Sequence, residues 1–190
     1  MFHHNNYITI QTYFVDFMTT IIDGKLHASQ LLETLRGNIS DLKDKDIIPY
    51  LSVIIVGDNP ASTIYVNKKA KTAERYGIKS DTISLPEDVS ESTLIDTIEQ
   101  LNNNDKVHAI LVQLPLPKHI DENKIINTIA SNKDVDGFNV INVGKLVIGD
   151  KTAIVPCTPL GCMIMIKQFF SSQTIKSLRG LKACIIGRSN

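Results

Sequence analysis

The sequence predicts an α/β fold in which a mostly parallel sheet is flanked by helices. Short, continuous apolar runs end at turn residues, as expected of strands that are buried on both faces. Between these runs, apolar residues recur at helical spacing. The two patterns alternate along the chain, which is typical of βαβ units. The 190 residues, 43% of them hydrophobic and 21% charged, have the composition of a globular protein.

The first predicted helix covers residues 25–45, where a stripe of apolar residues returns about every 3.6 positions. The stripe consists of Ala28, Leu31, Leu32, Leu35, Ile39 and Leu42. Residues 51–56 then form a continuous apolar run that ends at Gly57-Asp58-Asn59-Pro60. We interpret the run as a buried strand followed by a turn.

A second helix is predicted over residues 61–76, with Val66, Ala70 and Ala73 on one face. Gly77 stands where a helix commonly ends in a left-handed conformation. Residues 78–85 are predicted to form the second strand. The segment from Ala61 to Leu85 therefore continues the alternation of helix and strand.

The third helix is predicted from the buried stripe Leu94, Ile95, Ile98 and Leu101. Residues 107–114 are predicted to form another buried strand, which Pro115 and Pro117 end abruptly. Asp121 is a plausible N-cap for a short helix that contains Ile125, Ile126 and Ile129. The order to this point is βαβαβα.

The composition changes after Phe138. Thr158 and Pro159 suit the N-cap and the first position of a helix. Residues 161–170 continue as a mainly apolar stretch, which we expect to be a packed helix that bridges two domains. Residues 181–186 are predicted to form one more buried strand, before Gly187-Arg188-Ser189-Asn190.

Several bulk properties exclude classes of function. Twenty basic residues balance twenty acidic ones, so no net field draws the protein to nucleic acid or to anionic membranes. No apolar run approaches the roughly 18 residues of a membrane span. Residues 1–17 contain neither Lys nor Arg, which disfavours an export or transit signal and predicts a cytoplasmic location.

Three cysteines in such a chain are expected to be reduced. Cys157 and Cys162 alone, without a second pair, do not predict a metal site.

Four polar residues are candidates for chemistry. Tyr65 and Lys69 are four residues apart on a predicted helix, so their side chains share a face. Gln113 ends a buried strand at the edge of the sheet where ligands bind in open α/β folds. Asp136 precedes Gly137 in a predicted turn. Taken singly, Tyr65 and Lys69 could equally lie on a solvated helix face. Gln113 could simply satisfy backbone groups at a strand end, and Asp136 could be an ordinary turn carboxylate.

Four strings give these residues more weight. They are VGDNPAS-x-x-YV-x-x-K-x-K at 56–71, QLPLP at 113–117, KDVDGF at 133–138 and PCTP-x-G at 156–161. Together with IIDGK at 21–25 and IIGRSN at 185–190, they resemble the bifunctional methylenetetrahydrofolate dehydrogenase/cyclohydrolase family in order and spacing. The resemblance covers about residues 18–190.

The resemblance implies two reactions of folate one-carbon metabolism. A hydride passes from 5,10-methylenetetrahydrofolate to NADP⁺, and water then opens the methenyl cation to 10-formyltetrahydrofolate, which serves purine biosynthesis. It also implies that Lys69 is the general acid/base and that Tyr65 packs on the folate and orients Lys69. Gln113 is expected to hydrogen-bond near the lysine ammonium, and Asp136 to bind the pterin.

Elementary chemistry agrees with these roles. A lysine acts as a base where burial or nearby positive charge favours its neutral form, and a methenyl cation supplies such a charge. The carboxamide of Gln113 can position an amine without adding negative charge. The carboxylate of Asp136 can accept two hydrogen bonds from an amino-pyrimidine edge.

For the cofactor, the resemblance implies that Gly187, Arg188 and Ser189 begin an NADP-binding turn, with Arg188 favouring the 2′-phosphate. We expect an N-terminal extension over residues 1–17, with Met18 as the usual start. A folate-binding catalytic domain follows over 18–138, and then the truncated first elements of a Rossmann-like NADP-binding domain over 139–190. That truncation is expected to impair the dehydrogenase half and to leave an incomplete NADP site. The complete form is expected to be a homodimer.

Two other hypotheses remain open at this point. Short-chain dehydrogenases also use Y-x-x-x-K, but they need a glycine-rich turn after the first strand, and none precedes Tyr65. Alternatively, the chain is a non-catalytic remnant or a dimerising fragment. Folate binding with methenyl hydrolysis would distinguish an enzyme from a remnant.

Overall fold

The computed structural model describes residues 21–171 and 177–184. The predicted N-terminal extension, residues 1–17, lies outside these ranges. The described part contains helices and strands in alternation up to residue 128, which confirms the predicted α/β class. In chain order they are α1 Gly24–Lys43, β1 Tyr50–Val56, α2 Pro60–Arg75, β2 Lys79–Leu85, α3 Glu91–Asn102, β3 Ala109–Val112, α4 Glu122–Thr128, α5 Val140–Val147 and α6 Cys157–Ser171.

The sheet has the order β2-β1-β3, and both pairs of strands are parallel. In register, Ile54 of β1 stands beside Ile83 on one side and Val112 on the other. An isolated parallel bridge joins Ile110 to Asp134 at the outer edge of β3. The segment around Asp134 therefore takes the position of a further strand without forming one.

The sheet is buried on both faces, as the continuous apolar runs predict. One core cluster joins the sheet to α3 and α4, and the other lies on the opposite face, beneath α2. The first contains Ile54, Val56, Val89, Leu94, Ile98, Leu101, Val107, Ile110, Val112, Leu116, Ile120, Ile125 and Ile129. The second contains Val53, Ile55, Val66 and Leu111. Helices thus cover both faces, and the two ends of the strands are left for polar groups.

Capping residues set where several helices begin. Asp23 accepts from the backbone N–H groups of Lys25 and Leu26 at the start of α1. Asn59 does the same at α2, where Pro60 fills the first helical position. Asp121 caps α4, as predicted. Gly77 follows α2 with a φ of 83°, the left-handed conformation expected there.

Strand β3 is shorter than the predicted run of 107–114. At its start, the Val107 N–H is used in a turn, where it donates to the Asn104 carbonyl. At its end, Gln113 still donates its backbone N–H to Ile54, and Leu114-Pro115 is a cis peptide bond. His108 is exposed, and Gln113 and Leu114 are only half-buried, so the continuous buried part of the run lies within the strand.

The predicted helix start, with Thr158 as N-cap and Pro159 as the first helical residue, is wrong by two residues. Helix α6 begins at Cys157, so the two residues lie inside its first turn. Proline is tolerated there because the first-turn N–H groups have no partner within the helix. The helix is also not packed as expected, since none of its residues is buried in the described chain. Leu160, Met163 and Ile166 are among its exposed apolar residues.

Two further elements differ from prediction. Helix α5 was not predicted, yet it forms directly after the composition change at Phe138. No strand forms over Leu181–Cys184, because within the described ranges no neighbouring strand pairs with these residues. Ile185 and Ile186 lie outside those ranges.

Within the described ranges, no helix combines the length and the apolar character needed to cross a membrane.

Candidate active site

The candidate residues gather at the carboxyl-terminal edge of the sheet. Strand β1 leads through α2 to β2 on one side, whereas β3 lies on the other side of β1. Connections that leave neighbouring strands in opposite directions open a crevice at this edge. Lys69 comes from α2, Gln113 follows β3, and Asp136 follows the bridge at Asp134. Three separate elements therefore deliver polar side chains to one place.

Lys69 and Gln113 are in direct contact. The Lys69 Nζ donates a hydrogen bond of 3.2 Å to the Gln113 Oε1, and both side chains are partly buried. The two residues are 44 positions apart in the chain. The contact expected from the resemblance is therefore present in the structure.

The Gln113 amide is held in one orientation. Its Nε2 donates to the Leu114 carbonyl at 2.7 Å, so its Oε1 is the atom left to accept from Lys69. The loop beyond is anchored as well, because the Leu116 N–H donates to the Glu122 carboxylate at 2.8 Å. Gln113 thus presents an acceptor to the lysine from a loop that is tied to α4.

Asp136 lies within electrostatic range of Lys69. Burial raises the pKa of the Asp136 carboxyl, the Lys69 ammonium lowers it, and the Asp134 carboxylate raises it further. The net direction is upward. A half-buried carboxylate beside a cation suits a ligand that supplies further hydrogen-bond donors.

The turn that carries Asp136 is pressed against the chain ahead of α6. Gly137 has a φ of 70°, and a Cβ built there would lie 2.5 Å from the Ile154 carbonyl oxygen. It would also lie 2.9 Å from the Pro156 backbone nitrogen. Only glycine fits this combination of conformation and close approach.

Tyr65 lies one helical turn before Lys69, with 64% of its surface exposed. Among the described residues it makes no hydrogen bond to Lys69. Its ring is therefore available to a ligand, whereas its predicted role in orienting Lys69 stays a prediction.

Cys157 also belongs to this neighbourhood, although the sequence argument assigned it no role there. Its thiol donates to the Val135 carbonyl at 3.6 Å. Burial, followed by the Asp136 carboxylate, raises the pKa of this thiol, while Lys69 lowers it. A protonated thiol beside Asp136 is the net result. The PCTP string contained the only sequence signal for it.

The predicted cofactor residues Gly187, Arg188 and Ser189 lie outside the described residues.

Chemically, the cluster combines an amine, an amide acceptor and a carboxylate. The amine can carry a proton to or from a bound ligand, because Gln113 holds it by one hydrogen bond and leaves its other positions open. The carboxylate can accept donors from the same ligand. Such a set suits proton transfer on a polar heterocycle.

Comparisons with known proteins agree on one family. The family described as "Tetrahydrofolate dehydrogenase/cyclohydrolase, catalytic domain" matches residues 22–136. The chain is 51% identical over 174 residues to the bifunctional protein FolD of Wolbachia sp. subsp. Drosophila simulans, covering 91% of this chain and 58% of that relative. It is 52% identical over 172 residues to the FolD protein of Ehrlichia canis, covering 90% and 56%. The chain therefore spans little more than half the length of these curated relatives.

Solved structures give the same result. The bifunctional FolD enzyme of Campylobacter jejuni superposes with a TM-score of 0.78 at 48% identity, covering 79% of this chain and 53% of that one. The methylenetetrahydrofolate dehydrogenase-cyclohydrolase of Trypanosoma brucei, which was solved with NADP and an inhibitor, gives a TM-score of 0.76 at 34% identity, covering 80% and 52%.

Proposed function

The chain belongs to the tetrahydrofolate dehydrogenase/cyclohydrolase family, and from this premise we propose that its carboxyl-edge cluster binds a tetrahydrofolate one-carbon derivative and transfers protons during its hydrolysis. The observation that carries the proposal is the hydrogen bond of 3.2 Å between Lys69 Nζ and Gln113 Oε1. The substrate class is 5,10-methenyltetrahydrofolate, and the product is 10-formyltetrahydrofolate.

Lys69 is the proposed general acid/base. Water must lose a proton as it attacks the methenyl carbon, and an amine within reach can take up that proton. The positive charge of the bound methenyl group favours the neutral amine, which is the form that acts as a base. Gln113 holds the amine from one side without a competing negative charge.

Asp136 and Tyr65 are the proposed ligand-holding residues. An ionised Asp136 carboxylate can accept two donors from the amino-pyrimidine edge of the pterin. The exposed ring of Tyr65 offers an apolar surface to the ligand one helical turn from Lys69. Together they would fix the reacting carbon relative to the amine.

The dehydrogenase step is also proposed, with NADP as cofactor. NADP supplies a hydride acceptor when bound, and the FolD relatives are named as bifunctional. Gly187, Arg188 and Ser189 remain the proposed contacts to it. The domain limits at residues 18, 138 and 139 likewise stay proposals. Helix α5, just beyond 138, is tied to the preceding segment by hydrogen bonds from Asn142 to Ser131 and Asp134.

The test uses purified chain and 5,10-methenyltetrahydrofolate. We expect hydrolysis above the spontaneous rate, and a loss of at least about 100-fold in the Lys69→Ala variant, because a positioned acid/base contributes about 10²–10⁴ in rate. Lys68→Ala is the matched control, since it removes the same charge from the exposed face of the same helix.

Unchanged hydrolysis in Lys69→Ala would overturn the assignment of Lys69. If the wild-type chain neither binds nor hydrolyses the folate, the catalytic proposal fails and a non-catalytic role is favoured.

A homodimeric assembly of the full-length protein, a cytoplasmic location and a supply of formyl groups to purine biosynthesis complete the proposal. Light scattering and fractionation of the cells that produce the protein test the first two. Growth without added purines, with and without the gene, tests the third.

A further inference from the structure

Asp134, two residues before Asp136, is a buried carboxylate, and both of its oxygens accept hydrogen bonds from the protein's own donors. Only 2% of its surface is exposed. Its Oδ1 accepts from the Gly137 backbone N–H at 3.0 Å. Its Oδ2 accepts from the Asn139 backbone N–H and the Asn142 Nδ2, both at 2.9 Å. In the described part of the chain, no basic side chain forms an ion pair with it.

These hydrogen bonds enclose the turn that carries Asp136. The carboxylate of residue 134 reaches forward to residues 137 and 139, so residues 135 and 136 lie within the closed turn. Asn142 extends the enclosure to α5 and to the chain ahead of α6, because its Nδ2 also donates to Ser131 and its Oδ1 accepts from Ile154.

The base of the turn is fixed as firmly. The backbone of Asp134 bridges to Ile110 of β3, and the Ile110 N–H donates to Lys133 at 2.8 Å. The Lys133 Nζ donates to three carbonyl oxygens at the end of α3, those of Leu101, Asn102 and Asn104. Displacement of the turn backbone at Asp136 would therefore require these bonds or those of Asp134 to break.

Asp134 also acts on Asp136 through its charge. The groups that face Asp136 are Lys69 from α2, Asp134 from its own turn and Cys157 from α6. Of these, the Asp134 carboxylate raises the pKa of Asp136 and the Lys69 ammonium lowers it. Removing the negative charge at 134 should therefore favour the ionised form of Asp136.

We infer that Asp134 is a positioning residue for the folate site, which holds Asp136 in place without touching the ligand. The inference rests on the proposed function for the identity of the ligand. The buried hydrogen bonds themselves are independent of that function. All three partners are donors, so an acceptor-only carboxylate is the group that satisfies them.

The test compares Asp134→Asn with Asn102→Ala. The first keeps the side-chain volume but turns an NH₂ group toward donors. The second removes two hydrogen bonds, to Thr128 and from Ala130, in the segment just before the turn. We expect Asp134→Asn to weaken tetrahydrofolate binding about tenfold at pH 7, and Asn102→Ala to leave it unchanged. Equal affinity in Asp134→Asn and the wild type would overturn the inference, as would equal losses in the two variants.

A pH series supplies a readout that a merely structural role would not move. If Asp136 must be ionised to bind, affinity is lost as the pH falls through its pKa. Neutralising residue 134 lowers that pKa, so in Asp134→Asn the loss should occur at lower pH. The Asp136 carboxyl carbon, followed by NMR without ligand, should show the same change. An unchanged midpoint would contradict the electrostatic part.

Hydrogen exchange separates this inference from the proposed function. In the wild-type chain, the amides of Gly137 and Asn139 should be protected, and in Asp134→Asn they should exchange at least about tenfold faster. If wild type binds no folate but shows this pattern, the ligand is wrong and the positioning role stands. Unprotected amides in the wild type would overturn the role even if Asp134→Asn does not fold.

Discussion

The two ends of the sheet handle polar groups in different ways. At the carboxyl edge, Lys69, Gln113 and Asp136 come from three elements and lie close to one another, with atoms still open to a ligand. In the amino-terminal half, Ser52 and Asp81 stand side by side on β1 and β2. There the Ser52 Oγ and the Asp81 Oδ1 are buried, with no hydrogen-bond partner in the described part of the chain.

Function and stability therefore depend on different ends of the sheet. Polar groups that converge at the carboxyl edge leave hydrogen-bond donors and acceptors for a substrate. Changes there should alter binding and turnover more than folding. The Ser52 Oγ and the Asp81 Oδ1 have no hydrogen-bond partner among the described residues, and such groups are costly to bury. Changes there should alter the free energy of unfolding and leave folate binding as it was.

The largest expected effect is that of Asp136→Asn on ligand binding. Tetrahydrofolate should bind about 100-fold more weakly, because hydrogen bonds to a charged group are worth about 1.5–3 kcal/mol each. Calorimetric titration measures it, with Asp96→Asn on the exposed face of α3 as the matched control. An affinity within a factor of three of wild type would argue against pterin contact.

The same variant should slightly raise stability at neutral pH. Burial raises the pKa of Asp136 above its unfolded value, so folding disfavours its ionised form. Above the raised pKa, the ionised carboxylate lowers the stability of the wild-type chain. This cost disappears as the pH falls and the carboxyl becomes protonated. The stability difference between Asp136→Asn and wild type should therefore shrink on acidification. Denaturant unfolding at several pH values measures this, and a difference that grows in acid would contradict it.

Gln113→Glu is expected to have the next largest effect. A carboxylate cannot donate to the Leu114 carbonyl, and its charge would hold Lys69 as an ammonium ion. Methenyl hydrolysis should fall about tenfold, in line with about 1.4 kcal/mol for one altered interaction with a charged group. Steady-state kinetics measure kcat, and Gln100→Glu, an exposed position on α3, is the control. Faster turnover would sink the proposed role of Gln113.

The smallest effect is expected in the amino-terminal half. Ser52→Ala removes a fully buried hydroxyl that has no partner among the described residues. The free energy of unfolding should rise by about 1 kcal/mol, with no change in tetrahydrofolate affinity. Thermal and urea unfolding measure the first and titration the second. A less stable variant would show that the hydroxyl is hydrogen-bonded in solution.

Much of the fold was predictable because local signals and burial agree in the first 130 residues. Strand β1 and helix α2 follow from a continuous apolar run, a turn string and a capped helix start, and each was predicted within one residue. Strands of this kind can be predicted from the local sequence alone, because burial on both faces requires a continuous run of apolar residues.

The segment after Phe138 was less predictable for a physical reason. Val140, Val143 and Leu146 are exposed in the described chain, whereas the polar Asn142 is buried, so the helix reverses the burial that its apolar residues would predict. The helix is set by contacts instead. Asn139 caps it, and the buried Asn142 ties it to Ser131 and Asp134.

At the candidate site, the sequence identified the residues that can contact a ligand better than the residues that hold them in position. Lys69, Gln113 and Asp136 stand at strand ends or on a helix face, where ligand-binding positions are expected. Asp134 and Cys157 were missed because their importance lies in partners far along the chain. A carboxylate that accepts from residues 137, 139 and 142 resembles an ordinary turn residue until the turn is closed in space.

The close approach at Gly137 restricts how relatives of this protein can vary. The Cβ of any other residue would meet the Ile154 carbonyl oxygen and the Pro156 backbone nitrogen even more closely than the Pro156 Cδ. A compensating substitution at 154 or 156 would leave the obstructing Ile154 oxygen and Pro156 nitrogen in place. Position 137 is thus expected to remain glycine among relatives of this protein, whereas the residue type at 154 can vary.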